Sequence, residues 1–142
     1  MTKPKAPKTT PTPAPFAVPL TFTAQQVADL LVTALEGGTN YWLRIDRMVR
    51  PPKGAPVWRH APDLGGGEFP HIDYPLSGGY LAVTDIEEGK KYRLDRAAIE
   101  RGLALMPTKA PSQFGAWLAG DDDSTTGDCF VQCALLGDVI YG

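Results

Sequence analysis

Prolines and glycines decide where this chain can be regular, because proline lacks the amide that helices and sheets use and glycine loses the most freedom on ordering. The 142 residues hold 14 prolines and 15 glycines, unevenly spread. Six prolines fall in the opening MTKPKAPKTTPTPAPFAVP, together with three lysines and no acid. Such a segment buries too little apolar surface to offset its ordering entropy, and its prolines favour extended polyproline II. Residues 1–19 therefore read as an arm. Five more prolines precede Pro75 in residues 50–79, with glycines at 65–67, so that stretch reads as one long loop whose Trp58, Phe69 and Tyr74 argue for partial packing. The remaining windows, 20–49 and 80–142, suit a single core in a chain that is 43% hydrophobic.

Within those windows the local signals are specific. Thr23-Ala24-Gln25-Gln26 has the form of a capping box, and Phe22 with Val27 can staple the turn. Val27, Leu30, Leu31, Ala34 and Leu35 then recur at helical spacing, which predicts a helix over 24–36 closed by a left-handed cap at Gly37 and Gly38. YWLRIDRMV, residues 41–49, alternates as a strand does, with Tyr41, Leu43, Ile45 and Arg47 opposite Trp42, Arg44, Asp46 and Met48. YLAVTDI and KKYRL around Gly89 predict a hairpin. Asp95 caps a helix over 96–106 that Pro107 ends. Short helices follow at about 111–119 and 124–136, the last stopped by Gly137 before a short strand, DVIY. The expected fold class is α+β, a small antiparallel sheet packed against three to four helices.

Charge and chemistry narrow the function. With the arm's three lysines removed from 14 basic residues, the body carries 11 cations against 16 acids, a net of −5. An acidic body repels a phosphate backbone unless its cations gather in one patch, so general nucleic-acid binding is not expected. Arg44, Arg47 and Arg50 read either as a basic stripe or as a solvated strand edge. No stretch reaches the roughly 20 apolar residues of a membrane span, and no apolar run follows the lysines as in a secretory signal. The expectation is a soluble, intracellular protein. Cys129 and Cys133 share a helix face amid apolar neighbours and read as buried thiols, not a disulfide framework. Asp121, Asp122 and Asp123 at a helix start are accounted for by its positive end, and no calcium-loop spacing follows. No metal or cofactor is expected. The sequence contains no nucleophile elbow, zinc-protease or phosphate-loop motif, which favours binding over catalysis without excluding an enzyme.

The candidate site lies at the junction LEGGTNYWLRI. Strand neighbours face opposite sides, so one of Tyr41 and Trp42 fills the core and the other faces a helix, a subunit or a ligand. A flat aromatic stacks on a base for about 1–3 kcal/mol without needing basic charge. Gly37 and Gly38 let a ligand approach the backbone, and Asn40 adds an amide. Asp128 and Gln132, four apart on one helix, either read the polar edge of a small ligand or satisfy backbone groups of a nearby loop.

The segments VTALEGGTNYWLRI, YPLSGGYLAV, RLDRAAIERGLALM and TGDCFVQCALLGDVIYG resemble a family of small proteins encoded by tailed bacteriophages and prophages. The likeness spans nearly all of Thr23 to Gly142, with the arm and the loop at 50–74 particular to this chain. It brings no catalytic residue with it. What it implies is a phage accessory protein working in the host bacterial cytoplasm. Proteins of that kind often bind something of the host's, and the sharpest form here is a sponge for a nucleotide-type immune signal. Tyr41 or Trp42 would stack on its base, Gly37, Gly38 and Asn40 would contact it, and Asp128 with Gln132 would read polar edges. The alternatives are an inhibitor of a host protein acting through the acidic face at Asp121–Asp123, and a structural phage protein whose arm is exchanged within a homo-oligomer.

Overall fold

The computed structural model describes residues 10–142, so the first nine residues of the arm expected over 1–19 lie outside the described residues. Residues 10–22 run without helix or strand and are exposed up to Phe22. Helix α1 (Ala24–Thr33) opens on the expected capping box, with Gln26 N donating to Thr23 Oγ1 (3.1 Å) and Thr23 N to Gln26 Oε1 (2.8 Å). It does not end in a left-handed glycine cap. The backbone widens into a π-helical turn over Ala34–Gly38, closed by Thr39 N and Thr39 Oγ1 on the Ala34 carbonyl at 2.9 and 3.2 Å. Gly37 is extended (φ 177°) rather than left-handed. Gly38 is needed for a different reason: a Cβ there would collide with the Ser124 carbonyl.

Strand β1 (Leu43–Val49) pairs antiparallel with β2 (Tyr80–Asp85), and β2 with β3 (Lys90–Leu94), in the order β1-β2-β3. Tyr41 and Trp42 precede the strand instead of starting it, because residues 39–42 form the turn that carries the chain off α1. The register skips between Ile45 and Arg47, a β-bulge at Asp46. That extra residue breaks the expected alternation and brings Arg47 onto the face that holds Arg44.

The long loop contains a fifth helix, α2 (Pro70–Leu76). Prolines that read as breakers are tolerated here: Pro70 occupies the first turn, where no amide donor is needed, and Pro75 sits one residue from the end. Asp73 ties the rest of the loop down. Its buried carboxylate accepts from His60 N (3.0 Å) and Phe69 N (2.7 Å) and lies 2.8 Å from His60 Nδ1. Burial alone would raise its pKa, but these donors outweigh it and hold the carboxyl below the usual range. Tyr74 is buried, whereas Trp58 remains exposed.

Helix α3 (Arg96–Lys109) is capped by Asp95, whose side chain accepts from Ala98 N at 2.9 Å. It continues past Pro107, since losing one bond in the last turn still leaves Ala110 N to close on Met106 (2.8 Å). Helix α4 is Pro111–Leu118 and α5 is Ser124–Leu136, ended by Gly137 in the left-handed region (φ 76°). Residues 138–141 form no strand.

Helix α5 is the axis of the body. Its ten residues Thr126–Leu135 are all buried: neighbours surround the helix, and its two large polar side chains, Asp128 and Gln132, are hydrogen-bonded within the fold. Gly127 lies against the backbone of Ala34, and Gly102 of α3 against Ala134. Phe130, Val131 and Ala134 meet Leu30, Leu31, Trp42, Leu81, Leu94 and Met106 in one core. Cys129 and Cys133 are buried free thiols, and burial pushes Cys133 up to about 11. The result is α+β, a three-stranded antiparallel sheet against five helices.

Candidate functional site

Four of the seven candidate residues converge, although Trp42 and Asp128 are 86 positions apart. The turn at 39–42 places Tyr41 and Trp42 side by side against α5, and both donate to one carboxylate. Trp42 Nε1 bonds Asp128 Oδ1 at 2.7 Å and the Tyr41 hydroxyl bonds Asp128 Oδ2 at 2.5 Å. One turn later Gln132 donates Nε2 to Asp128 Oδ1 (3.1 Å) and to the Tyr141 carbonyl (3.1 Å). Its Oε1 accepts from Ile140 N (2.7 Å) and Tyr141 N (2.8 Å). A primary amide presents a donor and an acceptor side by side, as a peptide does. Gln132 thus acts as a one-residue strand partner for Ile140 and Tyr141, which pins the C-terminal segment although it belongs to no sheet.

The network reaches the sheet through Tyr141. Its hydroxyl donates to Asp85 Oδ2 (2.7 Å), and its ring lies 5.4 Å from that of Trp42. Asp85 also accepts from Glu87 N and Glu88 N in the hairpin turn. Negative carboxylates beside both phenols resist their ionisation. Asp85 pushes Tyr141 up to about 12, and Tyr41 is raised first by burial and then by its bond to Asp128.

The seven residues differ in what they leave open. The Trp42 indole is fully enclosed, Asp128 and Gln132 are buried, and Gly38 is packed against α5. Tyr41 is 48% exposed, and Gly37 and Asn40 face outward. The polar pair Asp128 and Gln132 satisfies neighbouring backbone and ring groups, so it supports Tyr41 from behind. Beside Asn40 the surface opens into a hollow of about 520 Å³ lined by Leu35, Thr39, Leu43, Arg44, Ile45 and Ile86.

Sequence reasoning missed Tyr141, Asp85 and Thr39. An aromatic beside the final glycine was the one visible hint, and nothing local connects it with Asp85. The acidic run is divided: Asp123 caps α5 by accepting from Thr126 N (3.1 Å), and Asp121 remains exposed. Among the described residues no three His, Cys, Asp or Glu side chains gather as metal ligands, and no helix is long and apolar enough to cross a membrane. Comparison with protein-family models, curated proteins and solved structures gave no match.

Proposed function

We propose that the chain is an accessory protein of phage type that works by binding, and that its ligand is a small nucleotide-like signal of the host cell. The hollow beside Asn40 carries this reading. An apolar lining from Leu35, Leu43, Ile45 and Ile86 suits a flat ring system, and Asn40 and Arg44 supply an amide and a cation. A few polar groups on an apolar wall of this size is the usual composition of a small-molecule site. The indole is enclosed, and Tyr41, held in place by Asp128, lies outside the lining of the hollow, so the ring contact there falls to the apolar side chains. Titration calorimetry with cyclic di- and trinucleotides and cyclic ADP-ribose isomers tests the reading. One of them should bind with one-to-one stoichiometry, and Asn40→Ala should weaken it by about tenfold, the value of one hydrogen bond. Silence across the whole series would remove the sponge.

A second reading, an assembly joined by arms, draws on the arm itself. Phe16, Val18, Leu20 and Phe22 place four apolar side chains within seven residues of an arm that forms neither helix nor strand. Phe22 is docked, stacked on Trp117 at 4.5 Å, but Phe16 and Val18 are 94% and 78% exposed. Val18 and Leu20 border an apolar groove of about 550 Å³ whose far wall is Ile99, Leu103 and Phe114. Prolines at 15 and 19 stiffen the segment, so it does not double back into a groove that it already walls. The arm of a second copy is then the natural occupant. Light scattering should give a dimer that Phe16→Ser with Val18→Ser returns to monomer; a monomeric full-length chain at high concentration would end this reading.

A further inference from the structure

The sheet gathers the body's scattered cations on one face. Paired residues of an antiparallel ladder point to the same side, so the registers define two rows across the three strands. Arg44, Thr84 and Lys91 form one row, and Arg47, Ala82 and Arg93 form the next. The bulge at Asp46 is what puts Arg47 there; unbroken alternation would have turned it inward. All four cations are exposed. Strand spacing sets them about 10 Å apart across the sheet and about 7 Å apart along β3, on either side of a floor made by Ala82 and by Thr84, which is buried beneath the Asp46 carboxylate.

Two further observations describe the surface. Asp46 is bonded by Arg44 Nε (2.7 Å) and by the Thr84 hydroxyl; its salt bridge is with Arg44, and Lys91 attracts it from farther off. Arg47, Lys91 and Arg93 have no carboxylate partner among the described residues. At the end of the floor the Arg93 guanidinium lies 3.8 Å over the centroid of Tyr80, whose hydroxyl is 3.4 Å from Arg47 Nη2. The ring supports a cationic plane whose outer side is open. Arginine planes stacked in this way are platforms for nucleic-acid bases.

We propose that this outer face of the sheet binds a single strand of nucleic acid, its phosphates between the β1 and β3 cations and a base on the Arg93–Tyr80 stack. The charge objection raised by a net −5 body is met by placement, since three unpaired cations occupy one face. A trough about 10 Å wide with banks of cations fits one backbone, whereas a duplex presents a wider, convex cylinder. A stacking platform has no use in holding an acidic peptide. The inference is independent of the hollow beside Asn40, although Arg44 borders both.

The test is fluorescence anisotropy of the full-length protein with labelled oligo-dT and oligo-U of 20 nucleotides, against a duplex of equal length and heparin as competitor. At low salt a single strand should bind, with a log–log salt slope near −2, the value expected for about three neutralised phosphates. The two oligonucleotides separate DNA from RNA. Arg47→Glu with Arg93→Glu should weaken binding at least about tenfold, while Lys53→Glu with Lys109→Glu, an equal charge change elsewhere, should leave it within about twofold. Circular dichroism establishes that both variants are folded. Lack of binding at low salt overturns the proposal. So does equal loss in both variants, or a duplex or heparin that competes as well as the single strands.

Discussion

Replacing Asp128 with alanine should lower stability by about 3 kcal/mol, read as a fall of roughly 1.5 M in the urea midpoint. The carboxylate receives protons from Trp42 Nε1, the Tyr41 hydroxyl and Gln132 Nε2. These donors fare differently without it. Tyr41 is half-exposed and can turn to water, and Gln132 retains the Tyr141 carbonyl. Trp42 is wholly enclosed, so its N–H is left unpaired at the full cost of desolvation. Asp128→Asn keeps an acceptor and should fall between, and Tyr41→Phe should cost about 1 kcal/mol. The two phenols add a pH signature. Their folded pKa values lie above the ordinary 10.0, so the stability linked to their protons is complete below about pH 10 and is lost as the pH rises through the folded values. An Asp128→Ala protein with the wild-type urea midpoint would show that the cluster does not hold the fold.

Gly127→Ala should cost as much, about 2–4 kcal/mol, for a steric reason. Its Cβ would lie 2.6 Å from Ala34 N and 2.7 Å from Ala34 Cα, and backbone atoms of a packed helix end cannot swing aside. Helix α5 would have to shift, taking Asp128 and Gln132 with it. Gly115→Ala is the comparison: nothing lies within 4 Å of a Cβ there, and it should stabilise α4 by about 0.5–1 kcal/mol. Paired urea melts decide the matter, and equal effects from the two substitutions would mean that close approach at Gly127 is not what the core requires.

How far the sequence reveals the structure depends on the range of the interaction. Capping boxes and periodicity are local, so α1, the start of α3, α4, α5 and the hairpin are legible from Thr23, Asp95, Gly89 and their neighbours. Helix α2 was hidden because Pro70 and Pro75 look alike in composition and differ only in where they sit along a turn. The diglycine was legible as a break but not as its cause, since Gly38 answers to a carbonyl on α5, far along the chain. The same limit applies to the site. Tyr41, Trp42, Asp128 and Gln132 could each be picked out as unusual, but their meeting on one carboxylate depends on how α5 crosses the turn. The basic face was half legible: Arg44 and Arg47 could be read as a stripe, but the bulge at Asp46 is what puts them on one face, and Lys91 and Arg93 join them only through the strand pairing.

The irregularity at Asp46 also matters where the sheet stops. A ribbon of three strands has two margins whose amides and carbonyls invite a fourth, and that invitation is how many small proteins begin to form fibres. Here one margin is kinked midway and the other carries Lys90 and Lys91 in succession. A neighbouring chain would meet a broken ladder on one side and crowded ammonium groups on the other. Lateral growth is thereby discouraged at both borders, and concentrated solutions of the folded protein should resist cross-β aggregation.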